Sequence, residues 1–214
     1  MKARCHQLLP YVFLLLVALS RWPGLMPVNF SAVYALVFCA GAFFPPSLSW
    51  RAPFAMLLVT DLVLNCFYQF VRGYEVFTVS GLMYQVCNYG GFAVLWWLGR
   101  RFRGTRNLLG LLGGGMLGAI LFYLVTNTTA WLLNPFHNVE YTKTFAGWLT
   151  ALTLGTKGWP QTWEFFRNTL LSGGLFTLLF GAAWQLTTSE SPAEKGEPAA
   201  EEAASESEPE EAQA

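Results

Sequence analysis

Charged residues are scarce in this sequence: they make up 12% of 214 residues, where a soluble domain would carry about a quarter. Charge is scarcer still in most of the chain, because nine of the 13 acidic residues lie beyond Ser189. The first 186 residues therefore hold only four acids: Asp61, Glu75, Glu140 and Glu164. A soluble helical bundle needs polar faces that this composition does not supply, so the sequence favours a membrane protein.

Cysteine and histidine are also few, and their arrangement suggests no site. The four cysteines contain no CxxC pair, and three of them lie in apolar runs, where a free thiol behaves as a small hydrophobic group. The two histidines are isolated. No HExxH, GxSxG or phosphate-loop motif occurs, and no histidine in an apolar run has a nucleophile beside it. We therefore expect no disulfide framework, no metal, no cofactor and no enzymatic activity.

Long apolar runs are what the sequence does contain, and a spanning helix needs about 20 such residues. Tryptophan and tyrosine lie near many ends of these runs, as they do in interfacial belts. We predict an all-α membrane protein with six transmembrane helices in one domain over 1–186. The predicted spans are 8–26, 30–44, 53–71, 82–98, 108–131 and 163–186.

The first run has an alternative interpretation as a cleaved signal peptide. Lys2 and Arg4 precede the apolar residues 8–19, and the small residues Ala18 and Ser20 permit cleavage. The apolar run resumes after Arg21, however, and this favours a retained helix.

The orientation follows from the segment "GRRFRGTR", which holds four arginines between the fourth and fifth predicted spans. By the positive-inside rule this loop faces the cytoplasm, and alternation of the spans then places both termini there. The sequence thus predicts a multi-pass membrane protein with both termini in the cytoplasm. Beside two spans, the basic cluster is expected to set topology and contact anionic lipid rather than to bind nucleic acid.

The end of the chain differs from the rest. Residues 187–214 are rich in glutamate and contain no aromatic residue. Such a segment cannot bury an apolar core, so we predict a disordered acidic cytoplasmic tail. A solubilising role is favoured over an interaction tail.

The last outer loop, 132–162, contains an apolar segment of its own. Residues 144–156, "TFAGWLTALTLGT", are too short to span a bilayer. We predict a short re-entrant or interfacial helix there, lying over the outer side of the bundle.

Glycines form a second pattern, in the fifth span. Gly110, Gly114 and Gly118 recur every four residues, a ridge of small residues that allows another backbone to approach. This pattern indicates helix packing and no chemistry.

The third predicted span carries a polar stripe. Asp61, Asn65 and Gln69 recur every four residues and therefore share one helix face. An ionised aspartate at the bilayer centre costs about 2.5–3.5 kcal/mol, so the stripe should face the protein interior or a water-filled cavity. Two interpretations remain open: a hydrogen-bonded clamp between helices, or a site for a ligand, an ion or a proton.

Other polar side chains occur near the same depth in several spans. Asn127 is followed by Trp131 at the end of the fifth span, and Glu164 precedes Arg167 and Asn168 in the sixth. Glu164 and Arg167 are spaced for a surface pair. We predict an outward-facing pocket, covered by the loop that contains Trp148. Its candidate ligand contacts are Asp61, Asn65, Asn88, Asn127, Trp131, Glu164 and Asn168.

Four segments together resemble an uncharacterised family of short bacterial integral membrane proteins: "NFSAVYALVFCAGAFF", "DLVLNC", "FYLVTNTTAW" and "FFRNTLLSGGLFTLLFG". That family is itself similar to the S components of energy-coupling-factor transporters, which capture vitamins and other micronutrients. The resemblance covers about residues 20–186. It implies a six-helix S-component-like bundle, an outward-facing ligand pocket, and docking on a transmembrane coupling subunit driven by two ATPases. The sequence departs from the AxxxA-like docking pattern of those proteins, because Ala18 has no small partner four residues away.

Three functions are consistent with these observations. The leading hypothesis is that the protein, which contacts the lipid bilayer, captures or transports a small, partly aromatic or polar metabolite. The second is a membrane scaffold or assembly factor whose polar residues hold helices together. The third is an ion-coupled carrier that works without an ATPase.

Overall fold

Helices account for the regular structure of the protein. The computed structural model describes residues 2–188, with side chains from Cys5 onward, and this part of the chain forms seven α-helices and no strand. The predicted all-α class is therefore confirmed. A π-helical turn, Phe67–Val71, directly continues the third helix. The α-helices are α1 (Lys2–Ser20), α2 (Val33–Phe43), α3 (Arg51–Cys66), α4 (Val79–Arg100), α5 (Leu108–Leu133), α6 (Phe145–Leu152) and α7 (Thr162–Thr187).

Three helical segments are long and apolar enough to cross a membrane: Arg51–Val71, Leu108–Leu133 and Thr162–Thr187. They agree closely with the third, fifth and sixth predicted spans. Large apolar side chains, such as Leu58 and Leu171, remain exposed on the outside of the bundle. These features indicate a membrane protein. The count of six spans stays a prediction.

The first helix lies nearer the N-terminus than its predicted span, and the second is shorter than the apolar run that predicted it. α1 ends at Ser20, and α2 begins only at Val33. The residues between them form an irregular connection, 21–32, in which Asn29 has a positive φ of 58°. The dipeptide Pro23-Gly24 favours a turn even though its surroundings are apolar, and this ends the first helix early.

α2 is the most deeply buried element of the protein. Ten of its 11 residues are buried, and it contacts α1, α3, α4, α5 and α7. Phe38 is completely buried and packs edge-on against Phe102, with ring centroids 5.3 Å apart. The helix is about 16 Å long, roughly half of the hydrocarbon thickness of a bilayer. Its uniformly apolar sequence therefore reflects packing among the other helices.

The closest backbone crossing joins α2 to α4. A methyl group on Gly99 would lie 2.0 Å from the carbonyl oxygen of Phe38, and one on Gly41 would lie 2.4 Å from that of Trp96. Only glycine permits this approach. The glycine ridge of α5 differs from the prediction, because Gly114 and Gly118 accommodate the side chains of Phe102 and Leu95 rather than a backbone.

The arginine-rich loop after α4 also stabilises the core. Arg103 donates from Nε to the carbonyl oxygen of Gly41 at 3.1 Å and from Nη2 to that of Phe44 at 2.8 Å. It thereby satisfies carbonyl groups that the end of α2 leaves without partners. Arg100 and Arg101 instead lie over tryptophan rings of α4.

α7 ends at Thr187. The division into a membrane domain over 1–186 and an acidic tail over 187–214 stays a prediction, and residues 189–214 of that tail lie outside the described residues. The predicted short helix in the last outer loop is present as α6, which has 8 residues. Its interfacial position stays a prediction.

Candidate functional site

A cavity of about 690 Å³ opens at one end of the bundle. α1, α3 and α5 end beside it, whereas α2, α4 and α7 begin beside it. These six helices therefore alternate in direction. The arginine-rich loop after α4 lies at the opposite end of α4 and α5 from the residues that line the cavity.

The connection 21–32 forms part of the cavity wall. Irregular backbone at membrane depth is tolerated where it lines a water-filled space, because water satisfies the peptide groups there. The cavity therefore explains why α2 is short, because the chain before α2 is irregular where it lines polar space. Asn29, with its left-handed backbone, lies in this segment.

The structure separates the seven predicted site residues into two groups. Four line the cavity: Asp61, Asn65, Asn88 and Asn127. The other three, Trp131, Glu164 and Asn168, do not. Binding of a ligand by any of them stays a prediction.

Asp61 is held by two residues from other elements. Arg21, in the connection after α1, donates from Nη2 to Asp61 Oδ1 and from Nη1 to the Thr60 hydroxyl at 2.7 Å. Tyr89 of α4 donates its hydroxyl to Asp61 Oδ2 at 2.8 Å. The Arg21 and Asp61 side chains are only 17% and 14% exposed. The carboxylate is thus compensated, and the pair adds no net charge to the cavity.

The rest of the polar stripe on α3 is also engaged. Asn65 donates from Nδ2 to Gln85 Oε1 of α4 at 3.0 Å. Gln69 accepts hydrogen bonds from the backbone N–H groups of Val76 and Phe77, at 2.8 and 3.3 Å. The stripe therefore points toward the protein, as its spacing predicts, and Gln69 shapes the turn that follows the π-helical segment.

Asn88 and Asn127 face the cavity from α4 and α5. Asn127 donates from Nδ2 to the carbonyl oxygen of Tyr123, one turn earlier, at 2.9 Å. This bond fixes the orientation of the side chain but uses only one of its hydrogen-bonding groups. These two amides provide donors and acceptors that a polar ligand could meet.

Trp131 and Asn168 stabilise connections beside the cavity. The Trp131 indole N–H donates to the carbonyl oxygen of Thr142 at 2.7 Å. Asn168 donates from Nδ2 to the carbonyl oxygen of Val28 at 2.8 Å and so ties α7 to the connection 21–32. The sequence predicted how far along their helices Trp131 and Asn168 lie. It did not predict on which side of the helix axis each side chain lies.

Glu164 and Arg167 do not form the surface ion pair that their spacing allows. The Arg167 guanidinium instead lies over the ring of Trp163, 5.5 Å from its centroid. Cation–π contact with an exposed tryptophan satisfies the arginine without a carboxylate.

The loop that contains Trp148 contributes Phe136 to the cavity wall, and its cover of the opening stays a prediction. No residue of α6 lines the cavity. The Trp148 indole N–H donates to the Thr128 hydroxyl at 3.0 Å, and the Tyr123 hydroxyl donates to the carbonyl oxygen of Leu152. These bonds hold α6 against α5, beside the opening.

Sequence reasoning missed several parts of the site. An aromatic cluster of Tyr34, Phe92 and Phe122 lines the cavity, with centroids of Tyr34 and Phe122 5.1 Å apart and those of Phe92 and Phe122 4.8 Å apart. Nothing in an apolar sequence distinguishes such rings from core. Arg21 could have been found, because a cation within an apolar run requires a partner.

The described residues contain no group of three or more His, Cys, Asp or Glu side chains that could hold a metal ion. The four cysteines are free thiols, and Cys39 is buried. What the cavity offers is hydrogen-bonding amides, aromatic rings and a compensated ion pair. Small-molecule sites commonly combine groups of these kinds.

Comparison with known proteins identifies a family. No curated protein and no solved structure matches the chain significantly. The model of one family, described as a family of unknown function (DUF6580), matches residues 1–194. That match covers most of the chain, including every helix described above, and the protein therefore belongs to this family.

Proposed function

We propose that the protein captures a small molecule at the membrane and takes part in its transport. The observation that carries this proposal is the convergence of amides from α3, α4 and α5 on one cavity of about 690 Å³. Small-molecule sites commonly have volumes of about 300–1,000 Å³, with a few polar groups among aromatic and apolar side chains. We assign ligand contact to Asn88 and Asn127, with Asp61 and Asn65 in the adjacent wall.

Charge distribution supports an outward-facing cavity. The four arginines at the end of α4 and in the loop after it lie at the end of the bundle remote from the cavity. If that loop faces the cytoplasm, the cavity opens on the outer side and both termini are cytoplasmic. We propose the bacterial inner membrane as the location.

Transport would require a partner that supplies energy. The chain contains no phosphate-binding loop, so ATP hydrolysis would come from other subunits. The resemblance to S components suggests a transmembrane coupling subunit with two ATPases. The exposed apolar residues of α1, such as Leu15 and Leu19, offer a surface that could contact either lipid or such a subunit.

A thermal-shift screen of the detergent-purified protein tests ligand capture. The panel contains vitamins, nucleobases and metal ions. A ligand at 100 times its dissociation constant stabilises the folded state by about 2.7 kcal/mol. Asn127→Ala should abolish the shift, whereas Asn138→Ala, which removes an amide outside the cavity, should preserve it. An equal shift in both variants would overturn the assignment.

A scaffold function is the second candidate, and one observation favours it. Asp61, Asn65 and Asn168 each hydrogen-bond another element of the bundle, as expected of residues that hold helices together. Asp61→Asn separates the two functions. A purely structural role predicts loss of stability with no ligand to recover it, whereas a capture protein regains stability when ligand is added.

Transport without an ATPase is tested separately, by uptake into proteoliposomes. A carrier coupled to protons would accumulate the ligand when a proton gradient is imposed. An energy-coupled capture protein would bind the ligand but show no uptake until its partner subunits are present.

A further inference from the structure

α3 is separated from α4 along the side of the cavity. No Cα atom of α3 lies within 8 Å of a Cα atom of α4, although α3 makes such contacts with α1 and α2. Neighbouring helices in a packed bundle have axes about 8–10 Å apart, and their backbones come closer than that where small residues meet. We call the space between the two helices the α3–α4 gap.

Side chains alone cross the α3–α4 gap. Tyr89 of α4 donates to Asp61 at 2.8 Å, and Asn65 donates to Gln85 at 3.0 Å. Farther from the cavity opening, the rings of Phe54 and Tyr89 approach to 6.2 Å between centroids. Such bridges can open without moving a packed backbone interface.

The half of the gap next to the cavity is not packed. Residues 60–71 and 79–90 include no buried residue, whereas α4 becomes buried from Gly91 onward. Val86, which is 70% exposed, lies on the second of these segments. Because α3 with its π turn is a candidate span, the gap lies at the depth of the bilayer.

The cavity behind the gap combines uncharged polar groups with aromatic rings. The Arg21–Asp61 pair compensates its own charge, and the amides of Asn88 and Asn127 are neutral. Tyr34, Phe92 and Phe122 present their rings to the same space. An uncharged polar group would meet the amides, and an apolar group would meet the rings.

We infer that the ligand is an amphiphile dissolved in the bilayer, with an uncharged hydrogen-bonding head group, and that it reaches the cavity through the α3–α4 gap. This inference rests on the proposed capture function and specifies its class of ligand. A water-soluble ligand would need no opening toward lipid. The unpacked gap at bilayer depth supplies one.

The test compares two thiol reagents that share the same reactive group but partition differently between lipid and water. Dodecyl methanethiosulfonate dissolves in lipid, whereas trimethylammonium-ethyl methanethiosulfonate stays in water. The full chain, with its four cysteines replaced by alanine, receives the reporter substitution Thr126→Cys and is reconstituted into liposomes. Thr126 is 6% exposed and lines the cavity, so a reagent must enter to reach it. Leu117→Cys, at a 45% exposed position outside the cavity on the same helix, reports the amount of dodecyl reagent in the bilayer.

Asn65→Phe places a bulky ring in the gap, and Leu62→Phe is its matched control on the exposed side of α3. We expect the dodecyl reagent to modify the thiol introduced by Thr126→Cys, and Asn65→Phe to slow that reaction at least tenfold. The rate with the trimethylammonium reagent should change less than twofold. Leu62→Phe should alter neither rate.

A further variant keeps the test decisive if Asn65→Phe does not fold. Gln85→Ala removes the acceptor that bridges to Asn65 and should accelerate the dodecyl reaction several-fold. The inference is overturned if the dodecyl reagent never reaches the reporter, if Asn65→Phe slows both reagents alike, or if Gln85→Ala leaves the rate unchanged.

This result is distinguishable from the ligand screen. Lipid access through the gap without any stabilising ligand would contradict the proposed function alone. Stabilisation by a water-soluble ligand, with no lipid access, would contradict this inference alone.

Discussion

Arg21 and Asp61 form an ion pair that joins an irregular connection after α1 to the polar face of α3. Each is a charge within an apolar run, and each would be costly to bury alone. Together with the hydroxyl of Tyr89, they form a compensated cluster in the wall of the cavity.

Removing one partner of this pair should destabilise the protein strongly. Arg21→Ala leaves the Asp61 carboxylate mostly buried without its cation and should lower the free energy of unfolding by about 3 kcal/mol. The double variant Arg21→Met with Asp61→Leu should recover most of this loss, because no charge is then buried. Thermal unfolding in detergent measures both effects.

Arg167→Ala is the control for this prediction. Arg167 contacts the ring of Trp163 and has no ion pair with Glu164, so its loss should cost about 0.5 kcal/mol. Equal destabilisation by the two arginine substitutions would contradict the special role of Arg21.

The α2–α4 crossing should tolerate no side chain. A methyl group on Gly99 would lie 2.0 Å from the carbonyl oxygen of Phe38, so Gly99→Ala must force two helices apart. We expect a loss of about 3 kcal/mol. Gly90→Ala on the same helix meets nothing within 4 Å and should be neutral or stabilising by up to about 1 kcal/mol. Thermal unfolding of the two variants side by side provides the measurement.

Thr177 offers an opportunity to stabilise the protein. Its side chain is completely buried, and its hydroxyl oxygen has no hydrogen-bond partner. Thr177→Val keeps the shape and removes the unsatisfied group, so the free energy of unfolding should rise by about 1 kcal/mol.

Ser172→Ala is the matched substitution, because the Ser172 hydroxyl donates to the carbonyl oxygen of Thr169 at 3.2 Å. Its loss should destabilise the protein. A higher unfolding midpoint for Ser172→Ala than for Thr177→Val would contradict the prediction.

The contact between Glu140 and Lys157, in the loop between α5 and α7, should open at acidic pH. Hydrogen bonds from the backbone N–H groups of Glu140 itself and of Lys157 hold the pKa of the Glu140 carboxyl below its usual 4.5. A lowered pKa in the folded state means that the stabilisation is complete above 4.5 and is lost as the pH falls through the folded value. The Lys157 amide, which donates to Glu140 Oε1 at 3.2 Å, should then lose protection from hydrogen exchange.

The amide of Trp148, bonded to the carbonyl oxygen of Thr144 within α6, serves as an internal reference for that measurement. Glu140→Gln retains an acceptor oxygen but cannot titrate. Its ratio of Lys157 to Trp148 protection should not depend on pH, and a pH dependence equal to that of the wild type would argue against Glu140 as the titrating group.

Hydropathy predicted the long helices well, because α3, α5 and α7 lie where the apolar runs lie. It placed the end of α1 too late and overestimated the length of α2. A hydropathy average does not register that Pro23-Gly24 and the left-handed Asn29 interrupt a helix while the surrounding residues remain apolar. Turn-forming residues inside an apolar run were the signal that mattered.

The sequence predicted how far along the bundle the candidate residues lie, but not the direction in which each side chain points. Helical spacing correctly placed Asp61 and Asn65 on one face, and Asn88 and Asn127 proved to line the same cavity. Trp131, Glu164 and Asn168 lie near the same end of the bundle but outside the cavity wall. The rotation of one helix against another depends on packing contacts between distant segments, and these contacts cannot be read from a single sequence.

The brevity of α2 has a consequence for how the chain is assembled during synthesis. A helix of 11 residues cannot anchor itself across a bilayer, and its irregular approach segment would leave peptide groups without partners in lipid. We therefore expect α2 to insert together with α1 or α3, as one arm of a helical hairpin. It should reach its final position only after α4 and α7 have been synthesised and enclose it. Ribosome-bound intermediates that end before α7 should leave this segment open to proteolysis, so completion of the last helix is the step that commits the protein to its native state.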